Sequence, residues 1–168
     1  KMKNIYFIFF KNKKSQNLKK IILKKYKNHS ISKSDCIVVV GGDGFMLQAI
    51  KKFTRFQKPF YGINCGTFGF LMNKYKSKNL YKKIKNAKKT FINPLNIIVS
   101  TSKNTKKRLM AINEVSLFRQ SRQTASLNLK VGKKTIIKKL IGDGILVSTP
   151  AGSTAYNLSV NGPILSLD

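Results

Sequence analysis

Apolar residues occur in short runs through the first half of the chain, separated by stretches in which they recur at helical spacing. The runs are rich in β-branched and aromatic residues and have the length of buried strands. The predicted strands are residues 4–10, 36–40 and 59–63. The predicted helices are residues 15–26, with Ser15 as the candidate N-cap, 45–53 and 77–86. This alternation of strand and helix predicts an open α/β sheet.

The second half of the chain has a different pattern, in which segments rich in Val, Ile, Leu and Thr are joined by lysine-bearing turns. The predicted strands are residues 95–101, 108–118, 125–131, 135–141 and 145–148. Gly132 and the two lysines after it form a candidate turn. We therefore predict an α/β domain over residues 1–91 and an antiparallel β domain over residues 92–168. Residues 161–168 resemble the entry to further structure, so we expect this β domain to be incomplete.

The formal net charge of +29 has two interpretations. One is a protein that binds nucleic acid or an anionic membrane. The other is compositional drift, because 30 lysines stand against only four arginines, and nucleic-acid recognition favours the bidentate guanidinium of Arg. We favour drift and expect no specific nucleic-acid partner.

The longest apolar run, residues 5–10, is too short to cross a bilayer, so we expect no membrane association. Two cysteines without metal-binding spacing indicate a reduced, cytoplasmic protein.

Acidic residues are few, and their placement is informative. The five are Asp35, Asp43, Glu114, Asp143 and Asp168. Three of them lie in small, polar or Gly-rich motifs, which are Gly41-Gly42-Asp43-Gly44, Asn113-Glu114 and Gly142-Asp143-Gly144. Randomly scattered acids would rarely cluster in this way. Asp43, Glu114 and Asp143 are therefore the first candidates for a functional role.

The turn at residues 41–44 lies between a predicted strand and a predicted helix, an arrangement typical of phosphate binding. Glycines permit a sharp turn and let backbone N–H groups approach an anion, and the helix N-terminus adds partial positive charge. Asp43 would repel a phosphate, so its presence favours contact with a hydroxyl acceptor or with a metal beside the phosphate. The alternative is a tight turn in which Asp43 caps the helix.

Residues 64–71 alternate glycine with aromatic residues after a predicted strand. The glycines would allow a ligand to approach closely. Phe70 is expected either to stack on a base or to fill the core, and Phe68 to fill the core.

Asn113 and Glu114 interrupt an otherwise apolar predicted strand. Adjacent strand residues point to opposite faces, so at least one of the two should face the interior or a cleft. The alternative places Glu114 on a solvated face.

Residues 142–159 combine glycine and small hydroxyl residues ahead of a predicted helix that begins near Ser153. This composition suits a polar ligand such as a ribose or an amide, and the alternative is an N-capped helix after a turn.

Taken together, these motifs resemble those of the NAD kinase family in order and spacing. The matching segments are Gly-Gly-Asp-Gly at 41–44, Gly-Ile-Asn-Cys-Gly-Thr-Phe-Gly-Phe-Leu at 62–71, Asn-Glu at 113–114, and Gly-Asp-Gly to Ser-Thr-Pro-Ala-Gly-Ser-Thr-Ala-Tyr at 142–156. The first motif is shared with diacylglycerol kinase relatives and is weakly specific, whereas the last is highly specific. The resemblance extends from residue 4 to residue 165.

The resemblance implies a fold, a reaction and a set of partners. The fold is NAD kinase/diacylglycerol kinase-like, with an N-terminal Rossmann-like α/β domain, a C-terminal all-β domain and NAD in the cleft between them. ATP would donate a phosphoryl group, with Mg²⁺ or another divalent cation, to the adenosine-ribose 2′-hydroxyl of NAD, giving NADP. The family also implies a homodimer or homotetramer in the cytoplasm.

Roles for individual residues also follow from the resemblance. Asp43 would be the catalytic residue that orients and deprotonates the 2′-hydroxyl, so Asp43→Asn is expected to retain NAD binding and lose most turnover. Gly42 and Gly44 would shape the loop beside the ATP phosphates, and Phe70 would line the adenine pocket.

The second half of the chain would supply the other contacts to NAD. Asn113 would contact the adenosine half, Glu114 a ribose, and Asp143 the nicotinamide carboxamide. The remaining pocket residues would be Thr154, Ala155, Tyr156 and Ser159, and no residue is assigned as a metal ligand.

Besides a nucleic-acid-binding module that uses the net charge of +29, two rival functions stay open at this point. One is a lipid kinase of the diacylglycerol kinase type, which should lack the Gly-Ser-Thr-Ala-Tyr segment at 152–156. The other is an NAD-binding remnant without activity.

Overall fold

The computed structural model of the chain describes residues 4–66, 69–76 and 79–167. Phe68, Ser77 and Asp168, which entered the predictions above, lie outside the described residues. The chain divides into two compact units, Lys1–Lys88 and Lys89–Asp168. Within the described ranges, no helix is long and apolar enough to cross a membrane.

The first unit contains a four-stranded parallel sheet with the order β1-β2-β3-β4. Its strands are β1 (Ile5–Phe9), β2 (Cys36–Gly41), β3 (Phe60–Asn64) and β4 (Asn73–Lys74). Its helices are α1 (Lys13–Lys25), α2 (Asp43–Phe53) and α3 (Leu80–Asn86), and a 3₁₀ turn covers Thr54–Phe56. Every residue of β2 is buried, as expected for a strand covered on both faces.

The alternation of side chains along β2 divides the core between the two faces of the sheet. Val38 and Val40 pack with Ile22 of α1 and with α3, whereas Val39 packs with Met46 of α2. Helix α2 therefore lies on one face of the sheet, and α1 and α3 lie on the other. The carboxyl ends of the parallel strands meet at one edge, where open α/β sheets place their ligands.

Helix α1 begins earlier than the sequence pattern suggested, and the prediction that Ser15 is its N-cap is wrong. The N-cap is Asn12, whose side-chain oxygen accepts a hydrogen bond of 2.8 Å from the Ser15 backbone N–H. Ser15 itself is fully buried, and its hydroxyl donates to the Val40 carbonyl at 2.7 Å. The serine links α1 to β2 instead of capping the helix.

Replacing Ser15 with alanine is expected to lower the free energy of unfolding by about 1 kcal/mol, because one buried hydrogen bond is lost. The loss stays modest since the Val40 carbonyl also accepts from the Phe10 N–H at 2.9 Å. Chemical denaturation followed by circular dichroism measures the effect, and Ser30→Ala, at an exposed serine, is the matched control. Equal stability of the two variants would contradict this account of Ser15.

The second unit contains three antiparallel strand pairs and one short helix. The pairs are β5 (Leu95–Ser100) with β6 (Lys106–Ala111), β7 (Glu114–Phe118) with β10 (Gly144–Ser148), and β8 (Ala125–Val131) with β9 (Lys134–Gly142). The helix is α4 (Tyr156–Ser159). The turn after β8 contains Gly132 at φ +58°, a left-handed conformation that favours glycine.

Two predictions for this unit are corrected. The segment 108–118 was expected to be one strand, but Ile112 and Asn113 separate β6 from β7. The helix expected near Ser153 begins only at Tyr156, because residues 149–155 form turns.

Candidate functional site

The Gly-Gly-Asp-Gly motif forms the connection from β2 to α2. Gly41 ends the strand, Gly42 is the N-cap, and Asp43 is the first residue of the helix, two positions earlier than predicted. A Cβ on Gly41 would lie 2.8 Å from Phe45 Cδ1, whereas a Cβ on Gly42 or Gly44 would have none of the heavy atoms of the described residues within 4 Å. Because Gly42 and Gly44 carry no side chains, the outer surface of the turn consists of backbone. It lies at a helix N-terminus, a position that favours anions.

The carboxylate of Asp43 contacts a second loop and does not cap its own helix. Its Oδ2 accepts a hydrogen bond from the Phe70 N–H at 2.8 Å, and its Oδ1 accepts from the Leu71 N–H at 3.0 Å. No side chain caps α2, so the alternative of Asp43 as the capping residue is wrong. A carboxylate offers about four lone-pair positions, so both oxygens can accept a further donor.

The loop after β3 is packed closely around this carboxylate. A Cβ on Gly69 would lie 2.9 Å from Asp43 Oδ1, and a Cβ on Gly62 would lie 2.6 Å from Met72 Sδ. Phe70 is 61% exposed, so it does not fill the core, and its ring is accessible for contact with a ligand.

In the second unit, Glu114 is half-buried at the start of β7. Burial raises the pKa of this carboxyl above its usual value of 4.5. Its Oε2 is buried and has no hydrogen-bond partner among the described residues. A ligand hydroxyl or amide that donates to this oxygen would remove the cost of burying it alone.

The raised pKa gives Glu114 a defined effect on stability. Its ionised form is disfavoured in the folded protein, so the penalty is absent below pH 4.5 and grows as pH rises through the folded-state pKa. Glu114→Gln should therefore gain stability relative to the unsubstituted chain as pH rises from 4.5 to 7. Thermal unfolding at several pH values measures this, and a constant difference in Tm would contradict the burial of the charge.

Asn113 does not lie within a strand, contrary to prediction, and its backbone carbonyl holds the turn at residues 149–153. It accepts hydrogen bonds from the Thr149 N–H at 2.8 Å and the Thr149 hydroxyl at 3.0 Å. A Cβ on Gly152 would lie 2.1 Å from the same carbonyl oxygen. The Asn-Glu motif and the Gly-Ser-Thr-Ala-Tyr motif are therefore adjacent in space.

Residues 142–159 were expected to offer hydroxyl groups to a polar ligand. Some of these hydroxyls form hydrogen bonds within the protein instead. Thr149 Oγ1 donates to the Ile112 carbonyl at 2.6 Å, and the hydroxyl of Ser153, which is fully buried, donates to the Pro150 carbonyl at 2.7 Å. Tyr156 is 55% exposed. Of the other predicted pocket residues, Ser159 is exposed and Thr154 and Ala155 are half-buried.

Asp143 lies between β9 and β10 and pairs with Arg119, a residue that the sequence analysis did not identify. The Arg119 Nε donates to Asp143 Oδ1 at 2.5 Å, and the Arg119 N–H donates to the Asp143 carbonyl at 2.9 Å. The guanidinium also donates to the Ser121 carbonyl. The Asp143 side chain remains 60% exposed. The scarcity of arginine was the one sequence signal that could have drawn attention to Arg119.

Glu114 and Asp143 lie at opposite ends of one strand pair. Glu114 pairs with Ser148, whereas Asp143 immediately precedes Gly144, which pairs with Phe118. Five residue steps of an extended strand separate the two ends by about 16 Å. A single ligand that contacted both carboxylates would have to be extended along β7 and β10.

The described residues contain no group of three or more His, Cys, Asp or Glu side chains that could hold a metal ion. Among the described residues, Asp43 is the one carboxylate at the Gly-rich turn.

Comparisons with known proteins agree with the motif resemblance. Residues 4–90 match the family model for the ATP-NAD kinase N-terminal domain, and residues 112–168 match the model for the C-terminal domain. The NAD kinase of Brucella suis biovar 1 is 43% identical over 164 residues, which cover 98% of this chain and 64% of that protein. The NAD kinase of Rhizobium meliloti is 43% identical over 168 residues, 100% of this chain and 65% of that protein.

A crystal structure of yeast NADH kinase complexed with NADH has the same fold, with a TM-score of 0.73 at 20% identity. The matched region covers 99% of this chain and 63% of the yeast NADH kinase chain. The predicted fold class, an α/β unit followed by a β-rich unit, is confirmed. This chain spans less than two thirds of the length of these relatives. With family models matched in both halves and relatives 43% identical over nearly all of it, the chain belongs to the ATP-NAD kinase family.

Proposed function

We propose that the gene product carrying this sequence is an NAD kinase, which transfers the γ-phosphoryl group of ATP to the adenosine-ribose 2′-hydroxyl of NAD. The observation that carries the proposal is the carboxylate of Asp43, held at 2.8 and 3.0 Å by two backbone N–H groups beside the bare Gly-rich turn. This places a fixed hydrogen-bond acceptor next to a backbone suited to phosphates.

The reaction requires alignment and a destination for one proton. The 2′-hydroxyl oxygen forms a bond to the γ-phosphorus, the bond from that phosphorus to the β–γ bridging oxygen breaks, and ADP leaves. Asp43 orients the hydroxyl and accepts its proton. Phosphoryl transfer depends mainly on positioning and charge stabilisation, so a rigid acceptor at the turn makes a large contribution.

The donor phosphates would lie against Gly42 and Gly44, where the part of the chain that the structure describes leaves 4 Å free around a Cβ position. Mg²⁺ or another divalent cation, when bound, supplies charge neutralisation of the triphosphate. Asp43 is the one carboxylate there among the described residues, so most ligands of the cation would be phosphate oxygens and water.

The second unit would bind the rest of NAD. Glu114 would accept a ribose hydroxyl at its unpartnered Oε2, next to Asn113 at the adenosine half. Asp143, oriented by Arg119, would accept from the nicotinamide carboxamide. Within this unit, the resemblance assigns Thr154, Ala155, Tyr156 and Ser159 to the remaining contacts. Phe70, in the first unit, is the residue that the resemblance assigns to the adenine.

The family resemblance supports a cytoplasmic homodimer or homotetramer. The scarcity of arginine and the shortness of the apolar runs argue against a specific nucleic-acid partner and a membrane partner. Exposed apolar side chains in the second unit, such as Phe118 at 67% and Val131 at 72%, are consistent with assembly.

The direct test incubates the full-length gene product with NAD, ATP and Mg²⁺ and quantifies NADP by coupled enzymatic assay and mass spectrometry. The 2′-deoxy analogue of NAD, which lacks the acceptor, is the control and should give no product. Saturable NAD binding without NADP would favour the inactive remnant, and phosphorylation of diacylglycerol instead of NAD would favour the lipid kinase.

A further inference from the structure

The carboxylate of Asp43 joins two motifs that the sequence presents as separate. One is the turn at residues 41–44, and the other is the loop Gly69–Met72, which follows β3. Both hydrogen bonds run from backbone N–H groups to an acidic side chain, and hydrogen bonds to charged acceptors are among the stronger ones in proteins.

Close packing leaves the loop little room to move independently of Asp43. The Cβ position of Gly69 is 2.9 Å from Asp43 Oδ1, and the Cβ position of Gly62 is 2.7 Å from the Leu71 carbonyl oxygen and 2.8 Å from Met46 Cε. Leu71 and Met72 also pack against the apolar cluster that contains Met46, so the loop lies against both β3 and α2. A side chain at Gly69 would displace either the carboxylate or the loop.

Phe70 lies at the centre of this arrangement. Its backbone N–H is held by Asp43 Oδ2, while its ring is 61% exposed. Holding the backbone on one side restricts the directions in which the ring can extend on the other.

We infer that Asp43 is also a positioning residue, whose carboxylate fixes the Gly69–Met72 loop and thereby sets the Phe70 ring for contact with the base of the substrate. The inference deepens the proposed function and rests on it for the identity of the ligand. It revises the expectation that Asp43→Asn retains NAD binding, because an amide offers only one acceptor atom to two N–H donors.

A fluorescent reporter tests the loop directly. The 168 residues contain no tryptophan, so Phe70→Trp introduces the single indole of this sequence at an exposed position of the loop, and any tryptophan elsewhere in the full-length protein is replaced with phenylalanine. In this background, Asp43→Asn should lower the steady-state fluorescence anisotropy without any ligand and weaken NAD binding at least fivefold. Asp35→Asn is the matched control. Asp35 accepts a hydrogen bond of 2.9 Å from the Asn4 N–H and precedes β2, whereas the Gly-rich turn follows that strand. This variant should leave the anisotropy unchanged.

Gly69→Ala provides a second variant in which the carboxylate is retained. It should raise KM for NAD about tenfold, because the added methyl group, 2.9 Å from Asp43 Oδ1, breaks the contact between the loop and the carboxylate. Asp43→Asn should lower kcat as well as raise KM. Circular dichroism melts verify that each variant is folded.

The outcomes separate the two proposals. Unchanged anisotropy in Asp43→Asn, or an unchanged KM in Gly69→Ala, would overturn the positioning role even if the unsubstituted protein makes NADP. A drop in anisotropy in a protein that makes no NADP would support the positioning role of Asp43 and overturn the proposed function.

Discussion

Asp43→Asn in the full-length protein is expected to reduce kcat for NADP formation by about 10²- to 10⁴-fold, the range typical of losing a general base. An asparagine side chain cannot accept the proton of the ribose hydroxyl, and it can accept only one of the two loop N–H groups that now contact the carboxylate. Initial rates at saturating NAD and ATP measure the effect.

Asp35→Asn is the control for this experiment, because it makes the same chemical change at a carboxylate outside the Gly-rich turn. Its kcat should stay within twofold of the unsubstituted enzyme. Retention of the full rate in Asp43→Asn would remove Asp43 from the catalytic step.

Gly152→Ala is expected to destabilise the fold strongly, with a loss of about 3 kcal/mol in the free energy of unfolding, the upper end of ordinary overpacking. The added methyl group would lie 2.1 Å from the Asn113 carbonyl oxygen and 2.4 Å from its carbon, both backbone atoms. The hydrogen bonds from Thr149 to the same carbonyl would be broken by any shift that relieves the overlap. Urea denaturation followed by circular dichroism gives the magnitude.

Gly142→Ala is the matched control, because a Cβ at Gly142 meets no heavy atom of the described ranges within 4 Å. It should change stability by less than about 0.5 kcal/mol. Similar unfolding midpoints for the two variants would mean that the turn at Gly152 does not pack on Asn113 as described.

The sequence predicted the first unit well because its signals are local. The uniformly apolar segment 36–40 could only be a strand buried on both faces, and the structure buries every residue of β2. The N-cap of α1 was missed because Asn12 and Ser15 are both good caps, and only tertiary packing decides between them. Ser15 is needed at the sheet, where its hydroxyl reaches the Val40 carbonyl.

The second unit and the site were less predictable because their contacts join residues far apart in the sequence. The break at Asn113 follows from its hydrogen bonds with Thr149, 36 positions later. The pairing of Arg119 with Asp143 spans 24 positions, and the contact of Asp43 with Phe70 spans 27. Motifs identified Asp43, Glu114 and Asp143 as candidates, but their partners are set by the fold.

The separation of Glu114 and Asp143 along β7 and β10 has a consequence for inhibitor design. Two small fragments, one that donates to Glu114 and one that donates to Asp143, should bind without interfering with each other. Joining them through a linker that spans about 16 Å would make the second contact intramolecular, so that affinity rises with no new protein contact. A linker that is too short would allow contact with only one of the two carboxylates. Affinities measured for a series of linker lengths would therefore report the separation of Glu114 and Asp143.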